Sequence, residues 1–222
     1  MPDILFEDNH LLVVNKPAGM LVQGDETGDV PLVELAKEYV KEKYHKPGAV
    51  FIGVVHRLDR PVSGVVALAR TSKALERMNE LFRNRDTAKT YWAVVAAPPT
   101  QPAGALVHWL VKDEKKNKTT AYVREYPQGL RSELSYQLVA TVGRWSLLEV
   151  KPITGRPHQI RVQLAYMGCP IVGDVKYGYP TPNPDASICL HARALSFVHP
   201  VRKEPITISA PAPSTEIWNT FL

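Results

Sequence analysis

At 222 residues the chain can bury a real core, as one large domain or as two small lobes. Hydrophobic content of 45% and charged content of 22% are ordinary for a soluble globular protein, and a net charge of +5 is compatible with a polyanionic partner without showing one. Two cysteines, Cys169 and Cys189, exclude a disulfide framework, and no C-x-x-C pair suggests zinc. The opening Met1-Pro2-Asp3-Ile4-Leu5-Phe6-Glu7 lacks the basic and long apolar segments of a signal peptide, and no membrane span is visible, so a cytoplasmic setting is the expectation.

In chain order, Ile4 to Glu7, the turn Asp8-Asn9 and Leu11 to Val14 read as a small β-hairpin. Asn15 to Met20 follows as a loop marked by Pro17 and Gly19, in which Lys16 is either a phosphate contact or, more commonly for a loop lysine, solvated. From Pro31 to Tyr44 the pattern is helical, with Leu32, Leu35, Ala36 and Tyr39 on one face. The run Phe51-Ile52-Gly53-Val54-Val55 suits a buried strand and delivers His56, Arg57 and Asp59 at once; Gly64 to Ala69 carries the chain away as a second apolar run. Asp59 is therefore expected on the loop after a strand, at a core edge, beside Arg57 and Arg60. Taken alone, this segment slightly favours a structural Arg–Asp ion pair over a functional carboxylate.

After Arg70, Thr71 or Ser72 can cap a helix whose buried stripe is Leu75, Met78, Leu81 and Phe82. The polar junction Arg83 to Lys89 leads into a strand from Thr90 to Val95. Ala105 to Val111 and Thr120 to Glu125 flank the charged segment Lys112 to Lys118, which reads as a solvated hairpin tip or, on a nucleic-acid binder, a basic finger. Ser132 to Val142 and Trp145 to Ile153 form a longer antiparallel pair around Gly143-Arg144. From Thr154 to Gly168, Pro157 suits the first turn of a helix with Ile160, Leu164 and Met167 inward; the same segment also alternates, so a strand stays open. Leu190 to Val198 and Pro205 to Ala210 are late strands, and Thr215 to Leu222 a terminal helix. The fold expected is α+β: a mixed, mainly antiparallel sheet with flanking helices.

Several chemistries are unsupported. His56, His158 and His191 lack metal-ligand spacing, no phosphate-cradling glycine loop is present, and no serine elbow precedes a suitable His–Asp order. A glycosidase would want a second acid near Asp59, where the neighbours are instead cationic.

His56-Arg57-Leu58-Asp59, followed by Ser63-Gly64 and an apolar run, resembles the signature of the RluA-type pseudouridine synthases. Lys16-Pro17-Ala18-Gly19, Lys89-Thr90-Tyr91-Trp92-Ala93, Gly155 to Val162, Gly168 to Asp174 with Tyr177-Gly178, and Leu190-His191-Ala192 with Phe197 to Pro200 are similar to further blocks of that family, in the family order. Departures are Val62 for a common Thr, Arg70 for a frequent Lys and Gln163 for a frequent His.

The resemblance implies the pseudouridine synthase fold over residues 1–222 as a single catalytic domain, without the small N-terminal RNA-binding domain many relatives carry. It implies isomerisation of uridine in tRNA or rRNA to pseudouridine on a flipped-out nucleotide, with no cofactor, no metal, no membrane, no obligate protein partner and a monomeric enzyme. Asp59 would be the catalytic aspartate; attack on the sugar, attack on the base and removal of a sugar proton all stay open. Tyr91 would stack on the uracil and remove the carbon 5 proton, although a neutral phenol with pKa of ~10 is a poor base at neutral pH. Arg161 would pair with Asp59 and hold it ionised. Arg57 would fill the space left by the flipped base, and Lys89 and Arg156 would contact RNA. Such a reading requires Asp59, Tyr91 and Arg161 to meet in one cleft. A non-catalytic RNA-binding protein on the same fold is the second reading, and a uracil-releasing glycosidase the third.

Overall fold

A computed structural model describes residues 1–222. The chain folds as two compact units, Met1–Ala88 with Ala192–Ala212, and Lys89–His191 with Pro213–Leu222.

In the first unit, β1 (Ile4–Glu7) and β2 (Leu11–Lys16) form the expected hairpin. Its turn is tied by Asp8, whose Oδ1 accepts the N–H groups of His10 and Leu11 at 2.8 Å each. Leu11 to Val14 are fully buried, because β2 is central and pairs on its other side with β4 (Ser63–Ala69), every residue of which is buried. That antiparallel register runs from Leu11↔Ala69 to Lys16↔Gly64, so the C-terminal end of β2 lies beside the start of β4. Beyond β4 comes β10 (Leu190–Val198), and β11 (Pro205–Ser209) pairs with β10 antiparallel.

The apolar run at Phe51 yields only the two-residue β3 (Gly53–Val54), paired with Leu68 and Ala69; Phe51 stays exposed and Val55 leaves the ladder. Helix α1 (Leu32–Lys43) buries Leu32, Val33, Ala36 and Val40, a face rotated from the expected one toward the two valines. Helix α2 (Ser72–Asn84) is capped by Thr71, whose hydroxyl accepts the Ala74 N–H at 3.1 Å. Met78 of α2 packs with Leu11, Val13, Val65, Leu195 and Phe197 in the core of this unit.

The second unit is an antiparallel meander-like sheet of β5 (Thr87–Val95), β9 (Trp145–Pro152), β8 (Leu130–Val142), β6 (Ala103–Asp113) and β7 (Lys118–Tyr122), in that spatial order. Strand β5 begins three residues earlier than expected, so Lys89 is a strand residue rather than part of a polar junction. The segment after β9 that stayed open between helix and strand is helix α3 (Gln159–Tyr166). Pro157 is not in its first turn: His158, at φ 55°, is the N-cap, and the proline stands before it. The terminal helix is short, α4 (Glu216–Asn219), with Thr215 as its cap.

Mainly antiparallel strands with four helices make the fold α+β. No helix is long and apolar enough to cross a membrane.

Candidate active site

Asp59 lies in the first unit, on the loop between β3 and β4, where its carbonyl accepts the Val62 N–H at 3.0 Å and closes a tight turn over Arg60 and Pro61. Asp59 is half-buried, while Arg57 and Arg60 are exposed. Arg60 has other partners than a simple Arg–Asp loop pair would give it. Its Nε donates to the Gly19 carbonyl at 3.0 Å and its Nη2 to Asp29 at 2.6 Å. The Gly19 N–H in turn donates to the Arg60 carbonyl at 2.8 Å. The Asp59 turn is thereby knitted to the Pro17–Met20 loop. Arg57 and Asp59 share no strand, so the alternation that would aim them the same way does not apply.

Lys16 overturns the solvated-loop expectation. It is the last residue of β2 and is 0% exposed. Its Nζ donates to the carbonyls of Pro17 at 3.0 Å, Met20 at 2.9 Å and Arg60 at 3.4 Å. Burial pushes its pKa down to about 8, against the opposing pull of the Asp59 carboxylate; the Arg60 guanidinium adds to the lowering.

His56 is structural. Its Nε2 accepts the Ala67 N–H at 3.0 Å, and its ring stacks on Phe82 with centroids 4.9 Å apart.

Tyr91 and Arg161 lie in the second unit. Tyr91 is half-buried on β5 opposite Val150 of β9, and strand alternation puts Lys89, Tyr91 and Ala93 on one face. The Lys89 ammonium lies beside Gly155, 3.7 Å from where a Cβ on that glycine would stand. The loop carrying Gly155 and Arg156 is fixed by Gln159, whose Oε1 accepts from the Thr154 hydroxyl at 2.8 Å and the Arg156 N–H at 3.1 Å. Arg156 Nε is buried and has no acceptor in the chain.

Arg161 is not the exposed surface arginine that helix statistics alone favour; it is 5% exposed, because Gln159 to Leu164 of α3 are buried all round. Its guanidinium forks onto Asp174, Nε to Oδ2 at 2.7 Å and Nη2 to Oδ1 at 2.9 Å, and Asp174 is 1% exposed. The Tyr177 ring lies 5.1 Å from the guanidinium carbon. The Tyr177 oxygen accepts the Thr119 N–H at 2.8 Å and sits 2.7 Å from His158 Nδ1. Burial pushes the Tyr177 phenol pKa up, so the hydroxyl stays protonated, and it shares a hydrogen bond with His158 Nδ1 whose direction follows the imidazole tautomer. Asp174 and Tyr177 thus anchor Arg161 and the N-terminus of α3.

Sequence reasoning read Lys16 as a phosphate contact or a solvated loop lysine and assigned no role to Asp174 or Tyr177. A signal existed for the first two. Each is a lone charge at the end of an apolar run, Leu11 to Val14 before Lys16 and Ile171-Val172-Gly173 before Asp174, and a charge carried into a core demands a partner.

Similarity to known proteins agrees with these blocks. The family model described as RNA pseudouridylate synthase matches residues 10–166, and the chain belongs to that family. Ribosomal large subunit pseudouridine synthase C of Vibrio vulnificus is 33% identical over 214 residues, covering 94% of this chain and 65% of its own length. Ribosomal large subunit pseudouridine synthase D of Xylella fastidiosa is 36% identical over 225 residues, covering 95% and 66%. The chain therefore spans about two thirds of the length of these relatives. The solved structure of human RNA pseudouridylate synthase domain containing 4 superposes with a TM-score of 0.80 at 26% identity, over 96% of this chain and 89% of that one.

Proposed function

We propose that this protein isomerises specific uridines in structured RNA to pseudouridine, with large-subunit ribosomal RNA as the first substrate class to test and tRNA as the second. The observation that carries the reading is family membership over residues 10–166, the span that contains Asp59, Tyr91 and Arg161. The ribosomal substrate rests on the names of the relatives from Vibrio vulnificus and Xylella fastidiosa.

In this reading a single catalytic domain works as a monomer in the cytoplasm. The reaction breaks the bond from ribose to the base nitrogen, turns the uracil and joins carbon 5 to the sugar. It has no net oxidation or hydrolysis, so it asks for no redox carrier and no metal. A carboxylate cannot reach that bond in a stacked nucleotide, so the uridine must leave its stack at a cost of roughly a few kcal/mol. Asp59 supplies the carboxylate, and Arg57 takes the vacated space in the RNA. Tyr91 stacks on the uracil and serves the carbon 5 proton. Arg161, itself held by Asp174, has the role the family resemblance implies, keeping Asp59 ionised. Lys89 and Arg156 contact RNA.

The test is Asp59→Asn against unmodified ribosomal and tRNA transcripts, with modified positions mapped. The expected result is no pseudouridine from the variant, with its folding and RNA binding retained. Turnover at the wild-type rate would remove Asp59 from its role. No product from the wild-type protein with any of these RNAs would favour the non-catalytic RNA-binding reading, and free uracil in the mixture would favour a glycosidase.

A further inference from the structure

Helix α3 begins on a strained residue. Its N-cap, His158, is a non-glycine residue at φ 55°, and its side chain makes no capping bond to the first turn. A histidine in that left-handed region carries backbone strain, which persists only where the surroundings hold it. Contacts from other elements converge on this turn. The Tyr177 oxygen sits 2.7 Å from His158 Nδ1. The same oxygen accepts the Thr119 N–H of β7 at 2.8 Å, and the Thr119 hydroxyl donates to the Pro157 carbonyl at 3.0 Å. Tyr177 and Thr119 are both buried, so water does not compete for these bonds. The ring of Tyr177 meanwhile lies against the Arg161 guanidinium, 5.1 Å from centroid to guanidinium carbon. A phenylalanine would offer the guanidinium the same kind of ring and would be buried at less cost, because a phenol taken out of water demands partners for its hydroxyl. Here those partners are β7 and the N-cap of α3.

We propose that Tyr177 is a positioning residue for Arg161: its hydroxyl locks the turn that starts α3 onto β7, and its ring backs the guanidinium which that turn presents. The inference rests on the role of Arg161 in the proposed reaction. Arg161 stands in the first turn after His158, so any relaxation of the strained N-cap swings the bond from its Cα to its Cβ. The fork onto Asp174 fixes the far end of the side chain and leaves that root to the turn. The tie also joins Arg161 to the β6–β7 hairpin. Lys176, next to Tyr177, donates to the Asn117 carbonyl at 2.9 Å, and the Lys118 ammonium lies 5.9 Å from the Tyr177 ring centroid. The hairpin, the start of α3 and the segment around Tyr177 are thus braced against one another through one phenol.

The experiment combines kinetics with hydrogen exchange. Tyr177→Phe keeps the ring and deletes the hydroxyl. With an unmodified large-subunit ribosomal RNA transcript, kcat should fall by at least about tenfold while KM stays within about twofold, since orientation rather than RNA affinity is lost. In protein labelled with nitrogen-15 at the arginine Nε, solvent exchange of the Arg161 Nε–H should quicken by at least about fivefold in Tyr177→Phe, at a temperature where circular dichroism shows the variant folded. This second readout needs no turnover. Thr119→Val removes only the hydroxyl bond to Pro157 and should lower kcat in the same manner by about threefold; it decides the matter where Tyr177→Phe does not fold. Wild-type kcat in the folded variant, a raised KM with kcat unchanged, or unaltered exchange at Arg161 would overturn the inference, while an inactive Asp59→Asn left the catalytic reading standing. Full turnover by Asp59→Asn would overturn that reading instead.

Discussion

Arg161 and Lys16 are two buried cations held in opposite ways. Arg161 meets a carboxylate of equal burial in a planar, bidentate fork; Lys16 meets only carbonyl oxygens. The first arrangement cancels charge, and the second distributes one charge over two loop segments. Removing the partner of a buried ion leaves the other ion uncompensated, which costs about 3–5 kcal/mol. Asp174→Ala should therefore lower the unfolding free energy, measured by urea denaturation, by an amount in that range. Gln163 is a smaller case of the same rule. Its Nε2 lies 3.0 Å from His108 Nδ1 and 3.2 Å from the Leu106 carbonyl, while its Oε1 is buried without a donor. Burial keeps the His108 pKa low, so Nδ1 is available as an acceptor. The glutamine at this position is built into the core rather than offered to substrate.

Among the elements, β2 and β4 matter most, because their register sets Lys16 beside the Asp59 turn. Gly64 makes that register possible. Its φ is +119°, and a Cβ there would stand 2.3 Å from the Ala192 carbonyl oxygen of β10. The obstacle is backbone, which cannot swing aside. Gly64→Ala should destabilise the protein by at least about 2 kcal/mol, read as a lower unfolding midpoint, since backbone strain and a steric clash add. Helix α3 shows where sequence pattern loses force. Six consecutive residues, Gln159 to Leu164, are buried, so no polar face marks the helical period and the alternation in the segment carries no information. The same limit applies at Phe51, where an apolar run is shared between a two-residue strand and an exposed side chain.

For the molecule as a whole, the net charge of +5 is too small to name a partner, yet its placement offers a test. The hairpin between β6 and β7 closes tightly. Asp113 Oδ1 accepts the Lys116 N–H at 3.0 Å, and Lys115 and Lys116 stand exposed at the tip. Each phosphate contact contributes a little under one to the slope of log affinity against log salt. Lys115→Ala with Lys116→Ala should reduce that slope for a ribosomal RNA transcript by about one to two if the tip touches RNA. An unchanged slope would make it a solvated tip. Each of the two units carries strands buried on both faces and its own apolar cluster, which is why composition alone was compatible with either one domain or two lobes.

By itself the sequence determined most of the strands, because alternation and continuous apolar runs are local properties. It determined the family as well, because the blocks from Lys16 to Pro200 keep their order whatever the fold does with them. Only the tertiary structure decided how the candidate site is supported. That Asp174, thirteen residues after Arg161, receives its guanidinium, and that Lys16 reaches the Arg60 carbonyl forty-four residues away, depends on which chain segments exclude water from which charge. Burial of an ionic group is a property of everything packed around it, and no local pattern encodes it. His56 to Gly64 could be read as a loop rich in charge; its attachment to the loop after β2, through one buried ammonium, could not.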